Sequence, residues 1–84
     1  MMVSVEVVED RVRQVILSSF LPETAPEAFH NTDDLFAVLD SLQVLRLVQH
    51  LEALFGVQVT DDELTADNLG SVEKMAAFVA RKRG

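Results

Sequence analysis

Apolar residues recur at steps of three and four along most of the chain, a spacing that predicts helices. The first such stripe lies before a proline, Pro22, and consists of Val8, Val12, Val15, Ile16 and Phe20. Several of these residues are β-branched, but their period is nearer 3.6 than 2, so we predict a helix rather than a strand. Ser4 is placed to cap this helix, and Pro22 is placed to end it.

The next segment, from Pro22 to about Val38, has no clear period and is predicted to be a loop. At about 15 residues it is long for a connection within a compact domain. We therefore expect it to have apolar anchors of its own, and the candidates are Phe29, Leu35 and Phe36.

The second predicted helix, Ser41 to Phe55, has the clearest pattern. Asp40 stands at its cap position, and Gly56 follows its end, where a left-handed residue commonly closes a helix. Its predicted apolar face consists of Val44, Leu47, Val48, Leu51, Leu54 and Phe55.

Two further helices are predicted after a short extended link. Thr60 and Glu63 have the spacing of a capping box, so we predict that a short third helix begins there. The last helix is predicted to start near Ser71 and to bury Val72, Met75, Ala76 and Val79. The sequence therefore predicts an all-α fold: a small four-helix bundle, with three main helices and one short helix, in a single domain spanning residues 1–84.

Composition and charge exclude several classes of function. The 84 residues include no cysteine, which excludes a disulfide framework and a thiolate zinc site. The net charge is -7, and between Gln14 and Glu73 eleven acidic residues accompany a single base, Arg46. Such a chain repels nucleic acid and anionic lipid and suits basic partners, although acidic residues also simply maintain solubility. Without a signal peptide or an apolar span, we expect a cytoplasmic protein that does not bind membranes.

A search for catalytic groups finds none. Ser41 and His50 lie nine residues apart, which on a helix is about 900° of rotation and about 13.5 Å of rise, so their side chains diverge. No metal-ligand spacing, calcium loop or glycine-rich phosphate loop is present. One local feature remains: Ser41 follows Asp40 at a helix start, where backbone amides favour a phosphate group. We predict that the protein is not an enzyme.

The wider context of this serine resembles the acyl carrier protein family. Asp40-Ser41-Leu42 matches that family's D-S-L motif, and Leu51-Glu52-Ala53-Leu54-Phe55 matches its L-E-x-x-F pattern at the expected distance. Further on, Asp61-Asp62-Glu63-Leu64 and Asn68-Leu69-Gly70-Ser71-Val72 are similar to the family's third-helix and fourth-helix starts. The resemblance covers nearly the whole chain.

The resemblance implies a carrier function. A phosphopantetheinyl transferase would attach 4′-phosphopantetheine from coenzyme A to Ser41, with Asp40 and Leu42 as further cofactor-binding residues. The arm would hold an acyl group as a thioester. The resemblance also implies an acyl-loading ligase or transferase, a ketosynthase or other acyl-processing enzymes as partners, and a monomeric state. The residues expected to meet partners are Leu42, Arg46, Gln49 and Glu52. Arg46 departs from the family, which usually has glutamate five residues after the serine, and would repel a basic partner.

Three alternatives remain open. Within the family, the chain resembles aminoacyl or peptidyl carriers that are loaded by a dedicated adenylating ligase. In another class, it would be an unmodified acidic helical module that binds a basic partner. A small hydrolase using Ser41 is disfavoured by the helix geometry. The pathways that the resemblance implies are fatty acid, polyketide or other specialised biosynthesis.

Overall fold

Three long helices dominate the fold in a computed structural model that describes residues 4–83. They are α1 (Val5–Val15), α3 (Ser41–Phe55) and α5 (Val72–Arg83). Two four-residue helices, α2 (Leu35–Val38) and α4 (Ala66–Leu69), complete the α-helical structure, and residues 4–83 contain no strand. The predicted all-α fold with three main helices is confirmed, with two short α-helices instead of one.

The first helix ends differently from the regular helix that the sequence predicted. After Val15 it continues as a π-helical turn, Ile16–Phe20, in which the Leu21 amide donates to the Ile16 carbonyl at 2.7 Å. The helical run nevertheless stops before Pro22, as predicted. Val8, Val12 and Ile16 are buried, whereas Val15 and Phe20 pack against the core while partly exposed.

The core lies between α1, α3 and α5. Each helix contributes the apolar face that its spacing predicted, because a stripe at steps of three and four stays on one side of a helix. Phe78, which is not among the residues predicted to be buried, is also buried. The side chains with no exposed surface are Val8, Val12, Ile16, Leu35, Leu47, Leu69, Val72, Met75, Ala76 and Val79.

The predicted long loop is only partly irregular. It contains a 3₁₀ turn, Pro26–Ala28, and the helix α2. Phe29 and Leu35 are buried and anchor it as predicted, but the prediction for Phe36 was wrong, since 40% of this side chain is exposed. Position 36 follows the buried Leu35 directly on a single helical turn, so the two side chains point in different directions.

Two backbone hydrogen bonds join this segment to residues 70–73, where α4 ends and α5 begins. The Leu35 amide donates to the Gly70 carbonyl at 2.8 Å, and the Glu73 amide donates to the Asn31 carbonyl at 3.0 Å. The segment that leads into α3 is therefore held against the junction of α4 and α5.

The predicted start of the third helix was wrong. Thr60 and Glu63 do form the expected capping box, but it encloses only a 3₁₀ turn, Asp61–Glu63. The α-helix α4 begins after Thr65, whose hydroxyl accepts from the Asn68 amide at 3.3 Å. The capping motif and the helix are thus two separate local structures.

Glu63 links this 3₁₀ turn to α5. Its carboxylate accepts from the Thr60 amide at 3.0 Å and from the Lys82 ammonium at 2.9 Å. The backbone hydrogen bond from Thr60 first, and then Lys82, lower the pKa of Glu63 below its ordinary value. The ion pair is exposed to solvent, so it contributes little to stability.

Helix α3 begins and ends where the sequence predicted. Asp40 accepts from the Gln43 amide at 2.8 Å, and the Gln43 side chain accepts from the Asp40 amide at 3.1 Å, which completes a capping box. Gly56 closes the helix with φ of 65°. One prediction on its apolar face was wrong: Leu54 is 42% exposed, at the edge of the stripe.

Candidate functional site

Ser41 is the first residue of α3 and is exposed to solvent. The capping box of Asp40 and Gln43 fixes the helix start, so the position of Ser41 is determined by local hydrogen bonds. The first amides of an α-helix have no partner within the helix. The amides of Ser41 and Leu42 thus make this end of α3 favourable for a negatively charged group.

An apolar cleft of about 310 Å³ opens beside Ser41. It lies where the segment before α3, the first turns of α3 and the region around α4 meet, and it is lined by Phe36, Leu39, Ser41, Val44, Leu45, Leu64 and Leu69. Apart from Ser41, every lining side chain is a hydrocarbon. The cleft therefore suits an apolar group that is held close to the serine.

The surface around Ser41 is also apolar. Leu42 is 58% exposed and Leu45 46% exposed, and both belong to the first turns of α3. Val38, just before the helix, is exposed by 52%. Exposed hydrocarbon side chains thus lie close in sequence to Ser41, together with the exposed carboxylate of Asp40.

The four predicted partner-facing residues differ in their surroundings. Leu42, Arg46 and Gln49 are exposed, and their spacing of four and three places them along one side of α3. Glu52 is half buried, and one of its carboxylate oxygens accepts from the Val59 amide at 3.0 Å. Glu52 thus forms a hydrogen bond within the chain that holds the segment after α3 in place.

A second groove, of about 530 Å³, lies between the π-helical turn and α3. Phe20 and His50 form one wall, with their rings edge to face and their centroids 5.6 Å apart. The full lining is Ser19, Phe20, Gln43, Arg46, Gln49, His50 and Ala53. Arg46 and Gln49 are brought together here, while Leu42 is not part of the lining.

The structure separates Ser41 from His50. Ser41 lines the apolar cleft and His50 lines the second groove, in agreement with the helical geometry that disfavoured a nucleophile and base pair. Within residues 4–83, no group of three or more histidine, aspartate or glutamate side chains could hold a metal ion. Across the same residues, no helix is long and apolar enough to cross a membrane.

Sequence reasoning missed most of the residues that line the apolar cleft. Leu45 lies four residues after Ser41, so its helical spacing was the available signal. Val44 was predicted to be a core residue; it is half buried and also lines the cleft. Leu64 and Leu69 come from the distant α4 region, and nothing local in the sequence places them beside the serine.

A family model matches most of the chain. Residues 10–79 match the family model described as a phosphopantetheine attachment site. The matched range extends from α1 into α5 and contains Asp40, Ser41 and Leu42, together with the apolar cleft. Proteins of this family hold 4′-phosphopantetheine covalently.

Proposed function

The chain belongs to the phosphopantetheine attachment-site family, and we propose that Ser41 is the residue that carries its 4′-phosphopantetheine arm. The carrier role itself follows from the family. The observation that supports this residue most directly is the position of Ser41, exposed at the capped start of α3 beside an apolar cleft.

The residues around Ser41 fit a phosphodiester with a long organic arm. The Ser41 oxygen would form the ester bond, and the amides at the start of α3 favour the phosphate charge. Asp40 is engaged with the Gln43 amide, so its carboxylate holds the helix start in place. When attached, the arm supplies a terminal thiol that holds an acyl group as a thioester.

The geometry supports presentation of a cargo, with the chemistry left to other proteins. A tethered acyl group has a high effective concentration at any enzyme that docks the carrier. We propose a phosphopantetheinyl transferase, an acyl-loading ligase or transferase, and acyl-processing enzymes such as a ketosynthase as partners. We further propose that the carrier acts as a cytoplasmic monomer. The apolar lining of the cleft favours a hydrocarbon acyl group over a polar aminoacyl group as cargo.

The intact mass of the protein tests the attachment site. We expect the wild-type protein to gain the mass of one phosphopantetheine after incubation with coenzyme A and a broad-specificity transferase. Ser41→Ala should gain nothing while keeping the circular dichroism spectrum of the wild type. Ser18→Ala removes another exposed hydroxyl outside α3 and should be modified like the wild type.

Two outcomes would contradict this proposal. Modification of Ser41→Ala would place the arm elsewhere. No mass gain on folded wild-type protein, with transferases of both broad and narrow specificity, would favour an unmodified interaction module. That alternative also predicts that Ser41→Ala keeps its biological function, whereas the carrier function requires the hydroxyl.

A further inference from the structure

Helix α3 has no net formal charge, although the molecule as a whole is acidic. The chain has a net charge of -7, yet the only charged side chains from Ser41 to Phe55 are Arg46 and Glu52. Glu52 is half buried and directed to the Val59 amide. Arg46 is exposed and forms no ion pair among residues 4–83. The outward charge of this helix is therefore the positive charge of Arg46.

The groove next to Arg46 is rich in hydrogen-bond donors and contains no carboxylate. Arg46 contributes a guanidinium with five N–H groups, and Ser19 contributes a hydroxyl. The carbonyl of the Gln43 side chain accepts from the Asp40 amide, which leaves its NH₂ group to donate. Gln49 contributes a second amide. A planar guanidinium flanked by amide donors matches the geometry of a carboxylate.

Apolar surface adjoins this polar groove. Leu42 and Leu45 are 58% and 46% exposed on the same helix. The Phe20 ring, packed against His50, contributes apolar surface to the groove itself. Hydrocarbon contacts next to a charged anchor are typical of protein docking sites, where the apolar part contributes affinity and the charges determine which partner fits.

Resting on the carrier function proposed above, we infer that the groove between the π-helical turn and α3 docks a partner protein through a carboxylate side chain. The partner's aspartate or glutamate would pair with Arg46 and accept from Gln43 and Gln49. An apolar residue beside it would contact Leu42 and Leu45. Partners with a basic docking surface would be repelled locally, even though the carrier as a whole is acidic.

A pair of designed peptides tests the sign of this surface. Each peptide is a twelve-residue amidated helix with leucines on one face, and the other face has glutamates in one peptide and lysines in its twin. Titrated into the unmodified, isotope-labelled protein at moderate salt, the glutamate peptide should shift the amide signals of Arg46, Gln49 and His50. The lysine peptide should shift signals of the acidic segments instead, around Asp33 and Asp61.

Variants distinguish the effect of the local charge at position 46 on peptide binding from the effect of the net charge of the protein. Arg46→Glu should weaken binding of the glutamate peptide by about tenfold, because one charge-assisted contact with a carboxylate is lost and repulsion replaces it. Lys74→Glu makes the same change in net charge at an exposed position on α5, and should weaken binding much less. Arg46→Gln should give an intermediate affinity.

Several results would overturn the inference. One is preferential binding of the lysine peptide to α3; another is equal weakening by Arg46→Glu and Lys74→Glu. A third is that coenzyme A alone shifts the same amide signals as strongly as the glutamate peptide does, because the groove would then bind anions in general and not a partner's carboxylate. A glutamate peptide that leaves the groove signals unchanged would also refute it. Since the titration uses unmodified protein, its result is independent of whether Ser41 accepts the arm.

Discussion

Asp40 holds the start of α3 in place, directly before Ser41, the proposed attachment site. Its carboxylate accepts from the Gln43 amide, and its own amide donates to the Gln43 side chain, so two polar groups at the helix start are satisfied together. Because Ser41 is the next residue, any loosening of this cap acts directly on the serine. The aspartate of the D-S-L motif therefore has a structural role that is independent of any partner.

We expect Asp40→Ala to lower the free energy of unfolding by about 0.5–2 kcal/mol, the usual cost of losing a helix N-cap. Urea denaturation followed by circular dichroism measures this change. Asp62→Ala also removes an exposed carboxylate, but outside α3, and is the matched control. If the two variants lost the same stability, the loss would reflect charge and not the cap.

Single residues also show where sequence reasoning reaches its limit. The burial of Val8, Val12 and Ile16 was predictable because helical spacing alone places them on one face. The role of Glu52 was not, since its hydrogen bond to Val59 depends on how the chain turns after Gly56. A side chain that is exposed by its position on a helix is free to meet partners only if the next segment does not bind it.

At the scale of helices, the start of α3 was predictable and the start of α4 was not. Both follow capping motifs, but the fifteen-residue α3 has a continuous apolar face that extends its helix beyond the first turn. The motif at Thr60 is followed by only a 3₁₀ turn, and Leu64 turns toward the cleft beside Ser41. The π-helical turn at Ile16–Phe20 likewise has no signature in the local sequence.

Two glycines end helices for different physical reasons, and substitutions distinguish them. Gly56 has φ of 65°, a conformation that disfavours a side chain, whereas Gly70 has an ordinary φ of -74°. At Gly70 the obstacle is space, because an added Cβ would collide with the carbonyl oxygen of Ala66. We expect alanine to lower the free energy of unfolding at both positions, by about 1–2 kcal/mol at Gly56 and about 1–3 kcal/mol at Gly70.

Asparagine provides the discriminating measurement. It tolerates the left-handed conformation, so Gly56→Asn should recover much of the stability that Gly56→Ala loses in urea denaturation. Gly70→Asn should recover none, since its Cβ meets the same carbonyl oxygen. Recovery at Gly70, or equal losses for both variants at Gly56, would contradict these assignments.

At the scale of the whole molecule, the negative charges exceed the positive ones and lie close together in a small volume. The net charge of -7 is spread over a body of 34 × 25 × 20 Å, and the Debye length at 0.1 M salt is about 10 Å. Raising the salt concentration therefore screens much of the repulsion between its acidic residues. We expect the melting temperature to rise between low and moderate salt, by about 4–8 °C for each kcal/mol gained.

Calorimetry at several sodium chloride concentrations measures this effect. A double variant, Asp61→Asn with Asp62→Asn, has two fewer negative charges and should show a smaller increase than the wild type. A melting temperature independent of salt, or an equal increase in the variant, would contradict the account based on repulsion.

The bond between the Leu35 amide and the Gly70 carbonyl also bears on how the chain acquires its structure. It joins residues 35 positions apart, so it forms only after the C-terminal half has approached the segment that precedes the proposed attachment site. The Leu35 amide should therefore exchange its hydrogen with solvent at the rate of global opening, not of local fraying. In a growing polypeptide, the segment that leads to Ser41 would then reach its folded position only after Gly70 has left the ribosome, so modification at the proposed site would follow synthesis of the junction between α4 and α5.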